Sequence, residues 1–244
     1  MYNDLFAANY DKLTANFSHK KAAHFIEKQI KRHCKTSKKD RLTLLDVGCG
    51  TGKMAKLLTR KGHQLIAADP SADMLAVAQQ RLFGTDILFL NQSAEQLDLY
   101  GTVDAAYSTL DVLSHIITEE KFAQAIARIA LFIEAGGLFI FDVNTIYKHK
   151  HVLNNGNFAY KSAEWKVILK ENNTIKNTIS INKEQTEIIE ERAYSEEQIR
   201  ELLEQANLKV ISTHDGYSKK EPSEKTERLV FVTQKVESNS NGKE

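Results

Sequence analysis

Apolar residues in this chain recur in two patterns. Short unbroken runs occupy Thr43 to Val47, Leu65 to Asp69, Ile87 to Leu90, Val103 to Ser108 and Leu138 to Asn144. Runs of this length bounded by turn residues predict buried strands. Between them the spacing lengthens to three and four. Ala22, Phe25, Ile26 and Ile30 mark a helix from Lys20 to Cys34, and Met54, Leu57 and Leu58 mark another from Lys53 to Lys61, stopped by Gly62. Pro70-Ser71-Ala72-Asp73-Met74 opens a third helix, and Thr118-Glu119-Glu120 opens a fourth with Phe122, Ala125, Ile126 and Ile129 on one stripe. Strand and helix therefore alternate as in a parallel α/β sheet.

After the fifth strand, which follows an expected turn at Ala135-Gly136-Gly137, this rhythm breaks. Trp165 to Leu169, Thr174 to Lys183 and Thr186 to Glu191 alternate or are β-branched, with a hairpin turn expected at Glu171-Asn172-Asn173. An antiparallel insertion over residues 147–192 at that edge would overhang the crevice of the sheet and wall a pocket. Ser195-Glu196-Glu197-Gln198 reads as a capping box. Leu208 to Ile211 and Arg228 to Val232 supply two closing strands. The expected division is a core at 1–146, the insertion at 147–192, a return to the core at 193–236 and a disordered tail at 237–244.

The candidate chemistry lies at the end of the first strand. Leu44-Leu45-Asp46-Val47-Gly48-Cys49-Gly50-Thr51-Gly52 places three glycines in a strand-to-helix turn, where the backbone N–H groups of a helix start are exposed to a ligand. Asp46 adds a carboxylate beside those donors. A second carboxylate, Asp69, ends the next apolar run about 20 residues on, where a βαβ unit holds the hydroxyls of a ribose. A dinucleotide fingerprint would need its third glycine at the position occupied by Lys53, and the spacing here is G-x-G-x-G instead.

This pattern, with Asp46 ahead and Asp69-Pro70-Ser71 behind, resembles the class I S-adenosylmethionine-dependent methyltransferases. The resemblance implies a doubly wound, seven-stranded, mostly parallel sheet of Rossmann-like type, its closing strands forming an antiparallel hairpin beside the fifth. It implies S-adenosylmethionine as cofactor and S-adenosylhomocysteine as product. Asp46, Gly48 and Gly50, with Cys49 between them, would face the methionine end, and Asp69 with Pro70 the ribose. Met74, Ser93 and Ala94 would lie near the adenine, with Gln92 beside them. Ser108, ending the fourth strand, and Leu110, just past it, complete the implied cofactor set. Phe6-Ala7-Ala8-Asn9-Tyr10-Asp11 is similar to the family's N-terminal flap, with Tyr10 over the cofactor. Tyr2, Phe6 and Tyr10, four apart, could equally staple a helix to the core.

Composition changes this picture little. The chain has 244 residues, 42% of them hydrophobic and 27% charged, and its 33 Lys and Arg against 32 Asp and Glu leave a net charge of +1. That balance supplies no global field for nucleic acid or an anionic membrane. The basic run from Lys31 through Lys38, Lys39 and Arg41 reads as a solvated helix end. Cys34 and Cys49 make neither a disulfide framework nor a zinc site, and no metal-ligand cluster stands out. With no signal pattern or membrane-length apolar run, a cytoplasmic monomer or homodimer is the expectation.

Transfer from a sulfonium is an in-line displacement that leaves a neutral thioether, so it needs alignment, water exclusion and, for some acceptors, a base. His115, just past the fourth strand, is the candidate proton acceptor, with a hydrogen-bonded helix-start residue as its competing role. Tyr147, His149, His151 and Tyr160 are near in sequence without an assigned role. The crevice segment Thr109 to Ile116 lacks the Asn-Pro-Pro-Tyr-like turn of enzymes that methylate the exocyclic amines of bases. A small-molecule methyl acceptor is expected. RNA or protein methylation, and a cofactor-binding protein that transfers nothing, are the alternatives.

Overall fold

The computed structural model describes residues 4–36, 41–153, 155–160, 163–181 and 185–237. Its main sheet is built from β1 (Thr43–Val47), β2 (Gln64–Ala68), β3 (Ile87–Leu90), β4 (Val103–Ser108) and β5 (Ile133–Asn144), joined by two C-terminal strands, β10 (Leu208–Asp215) and β11 (Arg228–Lys235). The order is β10-β11-β5-β4-β1-β2-β3. The first five strands pair in parallel, β11 runs antiparallel to β5, and β10 runs antiparallel to β11. This is the doubly wound seven-stranded sheet expected from the sequence.

Two layers of helix cover it, and the period of two along each strand decides which side chain meets which layer. Leu45, Phe139, Phe141 and Phe231 face α5 (Glu119–Leu131) and α6 (Glu196–Gln205). Their neighbours Leu44, Leu138, Ile140 and Val230 face α2 (His19–His33) and α3 (Lys53–Thr59). Phe141 stacks on Phe139 of the same strand and on Phe231 of the neighbouring β11, with centroids 4.7 and 5.0 Å apart. α2 is capped by Ser18 and ends in exposed Lys31 and Arg32, so the basic run is a solvated helix end there. Its Lys38 and Lys39 lie outside the described residues, as does the tail beyond Glu237.

Ala135-Gly136-Gly137 is an irregularity inside β5 rather than a turn before it. Gly136 takes φ +81°, and the β4–β5 register shifts between Val103 and Ala105. A Cβ on Gly137 would lie 2.6 Å from the Asp104 carbonyl oxygen, so the two strands can approach only if this residue is glycine.

The insertion folds as a second, four-stranded antiparallel sheet: β6 (Asn157–Tyr160), β7 (Ala163–Leu169), β8 (Thr174–Ile181) and β9 (Gln185–Arg192). β6 was not expected from the sequence, being four residues long with weak patterning. The expected extension of β8 to Lys183 falls outside the described residues. The β7–β8 turn is made by Asn172 and Asn173, both at positive φ (56° and 55°), a conformation Asn tolerates through its short polar side chain. The Ser195–Gln198 capping box forms in both directions. Among the described residues no helix is long and apolar enough to cross a membrane, and no His, Cys, Asp and Glu group could hold a metal.

Candidate active site

The parallel strands all end at one edge, and the turns after β1 to β4 carry the site. At the end of β1 the turn reverses direction with Gly48, Gly50 and Gly52 at φ +71°, +52° and +75°. Gly48 is required twice over, since a Cβ there would sit 2.3 Å from Val112 Cγ1 in a conformation that L residues rarely adopt. The N–H groups of Gly48 and Cys49 both donate to the Ala68 carbonyl at 2.8 and 3.0 Å, tying the turn to the end of β2.

Asp69, the next residue, is buried and anchored on every side. Its Oδ2 accepts from Gly50 N at 2.8 Å and its Oδ1 from Ser71 N at 2.9 Å. Its own N–H reaches the Leu90 carbonyl, while Asn91 Nδ2 donates to its carbonyl at 3.0 Å. Burial pushes its carboxyl above the usual range, opposed by the Ser71 and Gly50 N–H groups. Ser71 also caps α4 (Ala72–Arg81), accepting from Met74 N.

Beside these residues lies a cavity of about 400 Å³. Of the residues picked out from sequence, Tyr10, Gly48, Gly50, Asp69, Pro70, Met74, Ser93, Ala94, Leu110 and His115 line it. Asp46, Cys49 and Ser108 do not. Asp46 is 1% exposed behind the turn, Cys49 packs against Ala67 and Leu75, and Ser108 Oγ donates to the Val47 carbonyl at 3.0 Å. Ser71, Glu95, Val112 and Ile116 line the cavity as well, Val112 and Ile116 from the crevice segment read in the sequence, and β9 from Glu187 to Glu190 lines it without having been anticipated. Helix starts and strand ends signal the first four. No local feature of β9 indicates what it faces.

The N-terminal helix α1 (Asp4–Leu13) lies against α4 and closes one side. Phe6 and Ala7 pack with Met74 and Ile181, so α1 bridges the core and the insertion; Tyr2 lies outside the described residues. Tyr10 sits over Gly50, its Cε1 3.9 Å from where a Cβ would be. Burial, then the charges of Asp111 and Asp69, push its phenol well above its ordinary value. Asp11 ties the helix down, accepting from Thr51 Oγ1 at 2.7 Å, facing Lys53 Nζ at 3.3 Å and pairing with Arg81. Arg81 also donates to the Thr51 carbonyl and hydroxyl.

Leu110 and Asp111, past β4, hold φ of +65° and +55°. This backbone persists because their N–H groups donate to Asp142 Oδ2 and Oδ1 at 3.1 and 2.7 Å. Asp142, in β5, accepts as well from Tyr217 and from Arg228 Nη1, each at 2.5 Å. The same Arg228 nitrogen reaches Asp111, which Asn144 also contacts, and Lys148 Nζ donates to Asn144 at 2.8 Å. Burial pushes the Asp111 carboxyl up, but Arg228 and Lys148 hold it below its ordinary value. The short turn Val112–His115 rests on this network, and there His115 Nδ1 lies 4.0 Å from Glu191 Oε1 of β9. Of the other residues considered, His149 is buried away from the lining, Tyr147 and His151 stack on each other, and the Tyr160 side chain is outside the described residues.

Strand order and a glycine-lined crevice at the strand ends define the class of doubly wound proteins that seat a nucleoside cofactor at the switch point of the sheet. Residues 44–137 match the family model described as a methyltransferase domain. A protein of Geobacillus sp. (strain WCH70), named as a methyltransferase by inference, is 26% identical over 96% of this chain and 100% of its own length. The crystal structure of an S-adenosylmethionine-dependent methyltransferase from Clostridium acetobutylicum ATCC 824 superposes with a TM-score of 0.86 at 27% identity, covering 96% of this chain and 99% of that one. A ubiquinone biosynthesis O-methyltransferase of Rhodopseudomonas palustris (strain BisB18) is 31% identical over 101 residues, which are 41% of this chain and 38% of the relative. The chain is a class I S-adenosylmethionine-dependent methyltransferase.

The residues present fit that cofactor. A Cβ on Gly50 would point at Tyr10, 3.9 Å from its Cε1, into the space between the turn and that ring. Behind it, Asp46 Oδ2 is buried with no hydrogen-bond partner among the described residues. Burial pushes the Asp46 carboxyl up to about 7, Tyr107 opposing the rise and the Asp69 charge adding to it.

Proposed function

We propose that this cleft transfers a methyl group to a small-molecule acceptor. Asp69 would hold the ribose, Gly48, Gly50 and Asp46 the methionine end, Met74, Ser93 and Ala94 the adenine, and Tyr10 would cover them. S-adenosylmethionine, when bound, supplies a methyl carbon on a cationic sulfur. The chain's own residues align the acceptor between the Val112–His115 turn and β9, exclude water with α1 and β9, and take a proton at His115 Nε2. The observation that carries the reading is this enclosure. α1 and the insertion flank the strand ends, leaving a pocket of about 400 Å³ rather than an open face for RNA or protein.

The test is transfer of isotope-labelled methyl from S-adenosylmethionine into a cell extract, fractionated by size. Label in the low-molecular-weight fraction is expected. Label confined to RNA or protein would overturn the small-molecule reading.

Asp46 makes a separate prediction. A carboxyl raised from 3.8 to about 7 contributes stability that is present below the lower value and lost as pH rises through 7, where the group becomes charged. A ligand ammonium held at the glycine turn in front of the carboxylate feels its charge, so it binds more tightly as pH rises from 6 to 8. Calorimetry should show S-adenosylhomocysteine affinity rising severalfold over that range in the natural protein and little change in Asp46→Asn. A flat profile in the natural protein removes Asp46 from the methionine end.

A further inference from the structure

We infer that the methyl acceptor is an amine, which enters as an ammonium between His115 and β9 and gives its proton to His115 with Glu191 as the positioning carboxylate. The inference rests on the small-molecule reading above and names the class of molecule that reading leaves open.

The cavity defines the site, and its charge selects the acceptor. Asp69, Glu95, Glu187 and Glu190 line it, whereas no Lys or Arg does among the described residues. Glu190 is matched outside by Lys170 Nζ at 2.5 Å, and Asp69 by two backbone N–H groups. Behind the lining, the carboxyl groups of Asp111, Asp142 and Glu191 face Arg228 and Lys148, burial pushing Glu191 up and Lys148 down. Arg228 contacts both aspartates, and Lys148 is felt by Asp111 and Glu191 alike. Glu191 also faces His115, whose Nδ1 lies 4.0 Å from its Oε1, and is hydrogen-bonded by Asn177. The lining thus carries acidic groups and no Lys or Arg among the described residues, a deficit of positive charge that a cationic acceptor would meet. An anionic acceptor would add to the deficit, and an alcohol would build negative charge on oxygen with no lining cation to meet it. An amine meets neither obstacle. Its nitrogen carries positive charge on entry and none of negative sign during attack.

The step balances. The ammonium passes one proton to His115 Nε2, and the imidazolium so formed faces Glu191 through Nδ1. The freed nitrogen lone pair forms the N–C bond as the C–S bond breaks, and the electrons of that bond remain on sulfur as a neutral thioether. The product is an N-methylammonium of the same total charge, and the proton leaves His115 for water when the site opens. Glu191 acts through His115 and not on the acceptor, so its place in the insertion explains why β9 packs against the Val112–His115 turn.

The experiment incubates the full chain with trideuteromethyl S-adenosylmethionine and the low-molecular-weight fraction of a cell extract, and locates the label in each product by tandem mass spectrometry. Label on nitrogen is expected. Label on oxygen, sulfur or carbon of a small molecule leaves the small-molecule reading standing and overturns the amine. Absence of any small labelled product, with label on RNA or protein in the unfractionated extract or nowhere, overturns both. The amine so identified is then titrated calorimetrically into the S-adenosylhomocysteine-bound protein. Glu191→Gln should weaken it about tenfold, and Glu191→Asp should recover part of the loss. Equal affinity in the natural protein and a folded Glu191→Gln removes Glu191 from the assignment. Folding is checked by the melting transition, and if Gln is not tolerated the comparison is made with Asp.

Discussion

Asp69→Ala is expected to weaken S-adenosylhomocysteine binding by about a hundredfold or more, because charge-assisted hydrogen bonds contribute about 1.5–3 kcal/mol each and a ribose offers two hydroxyls to one carboxylate. The loss has a second source in the protein itself. Asp69 accepts from Gly50 and Ser71, so its removal leaves the glycine turn and the start of α4 with N–H groups that have lost their acceptor. Asp69→Asn keeps one acceptor oxygen and should fall between, near tenfold. Calorimetry on variants with intact melting transitions measures both. Normal affinity in folded Asp69→Ala would sink the ribose assignment.

Arg228→Met is expected to cost about 3–5 kcal/mol of stability at pH 7, since breaking a buried ion cluster from one side leaves uncompensated charge. Its two aspartates are 13% and 0% exposed in their side chains, so water cannot replace the guanidinium. The sign of the pH dependence separates this from a packing loss. In the natural protein Asp111 is held below its ordinary value, so its contribution is present above that value and lost as pH falls through the lower one. Without Arg228, burial is opposed mainly by Lys148 and the Asp111 carboxyl moves upward, so the variant should recover stability as pH falls. Denaturant unfolding at pH 7 and pH 5 should show the gap between the two proteins narrowing at the lower pH. A gap of equal size at both would assign the loss to packing around Phe17, over which the guanidinium lies.

Arg228 also shows where the sequence stops being readable. As the first residue of a closing strand it looks like any charged strand end, and its partner Asp142 is 86 positions away. Only the antiparallel pairing of β5 with β11, which sets Arg228 opposite Asn144, brings them together. The cofactor half behaves differently because its logic is local. Gly48, Gly50 and Asp69 lie within a single βαβ unit, and short-range rules for turns and strand ends suffice to bring them to one edge. Cys49 and Ser108 were selected by nearness in sequence to that edge. Chain direction at a turn decides facing, and theirs is inward. The alternation of β8 and β9 was legible as strand, but the wall made by Glu187 to Glu190 is a tertiary fact. Gly136-Gly137 looked like a turn because glycine pairs usually are; the close approach of Asp104 makes it a bulge instead.

The tether on Asp11 has a consequence for turnover. Helix α1 carries Tyr10 across the glycine turn while Arg81, Lys53 and Thr51 hold the next residue along. With Tyr10 over the cofactor as proposed, release of the spent nucleoside is expected to need this amino-terminal segment to loosen and reseat. Escape of the spent nucleoside is then paced by rupture of a small ion cluster. Dissolved salt, by weakening that cluster, hastens exchange even where it leaves the chemistry untouched.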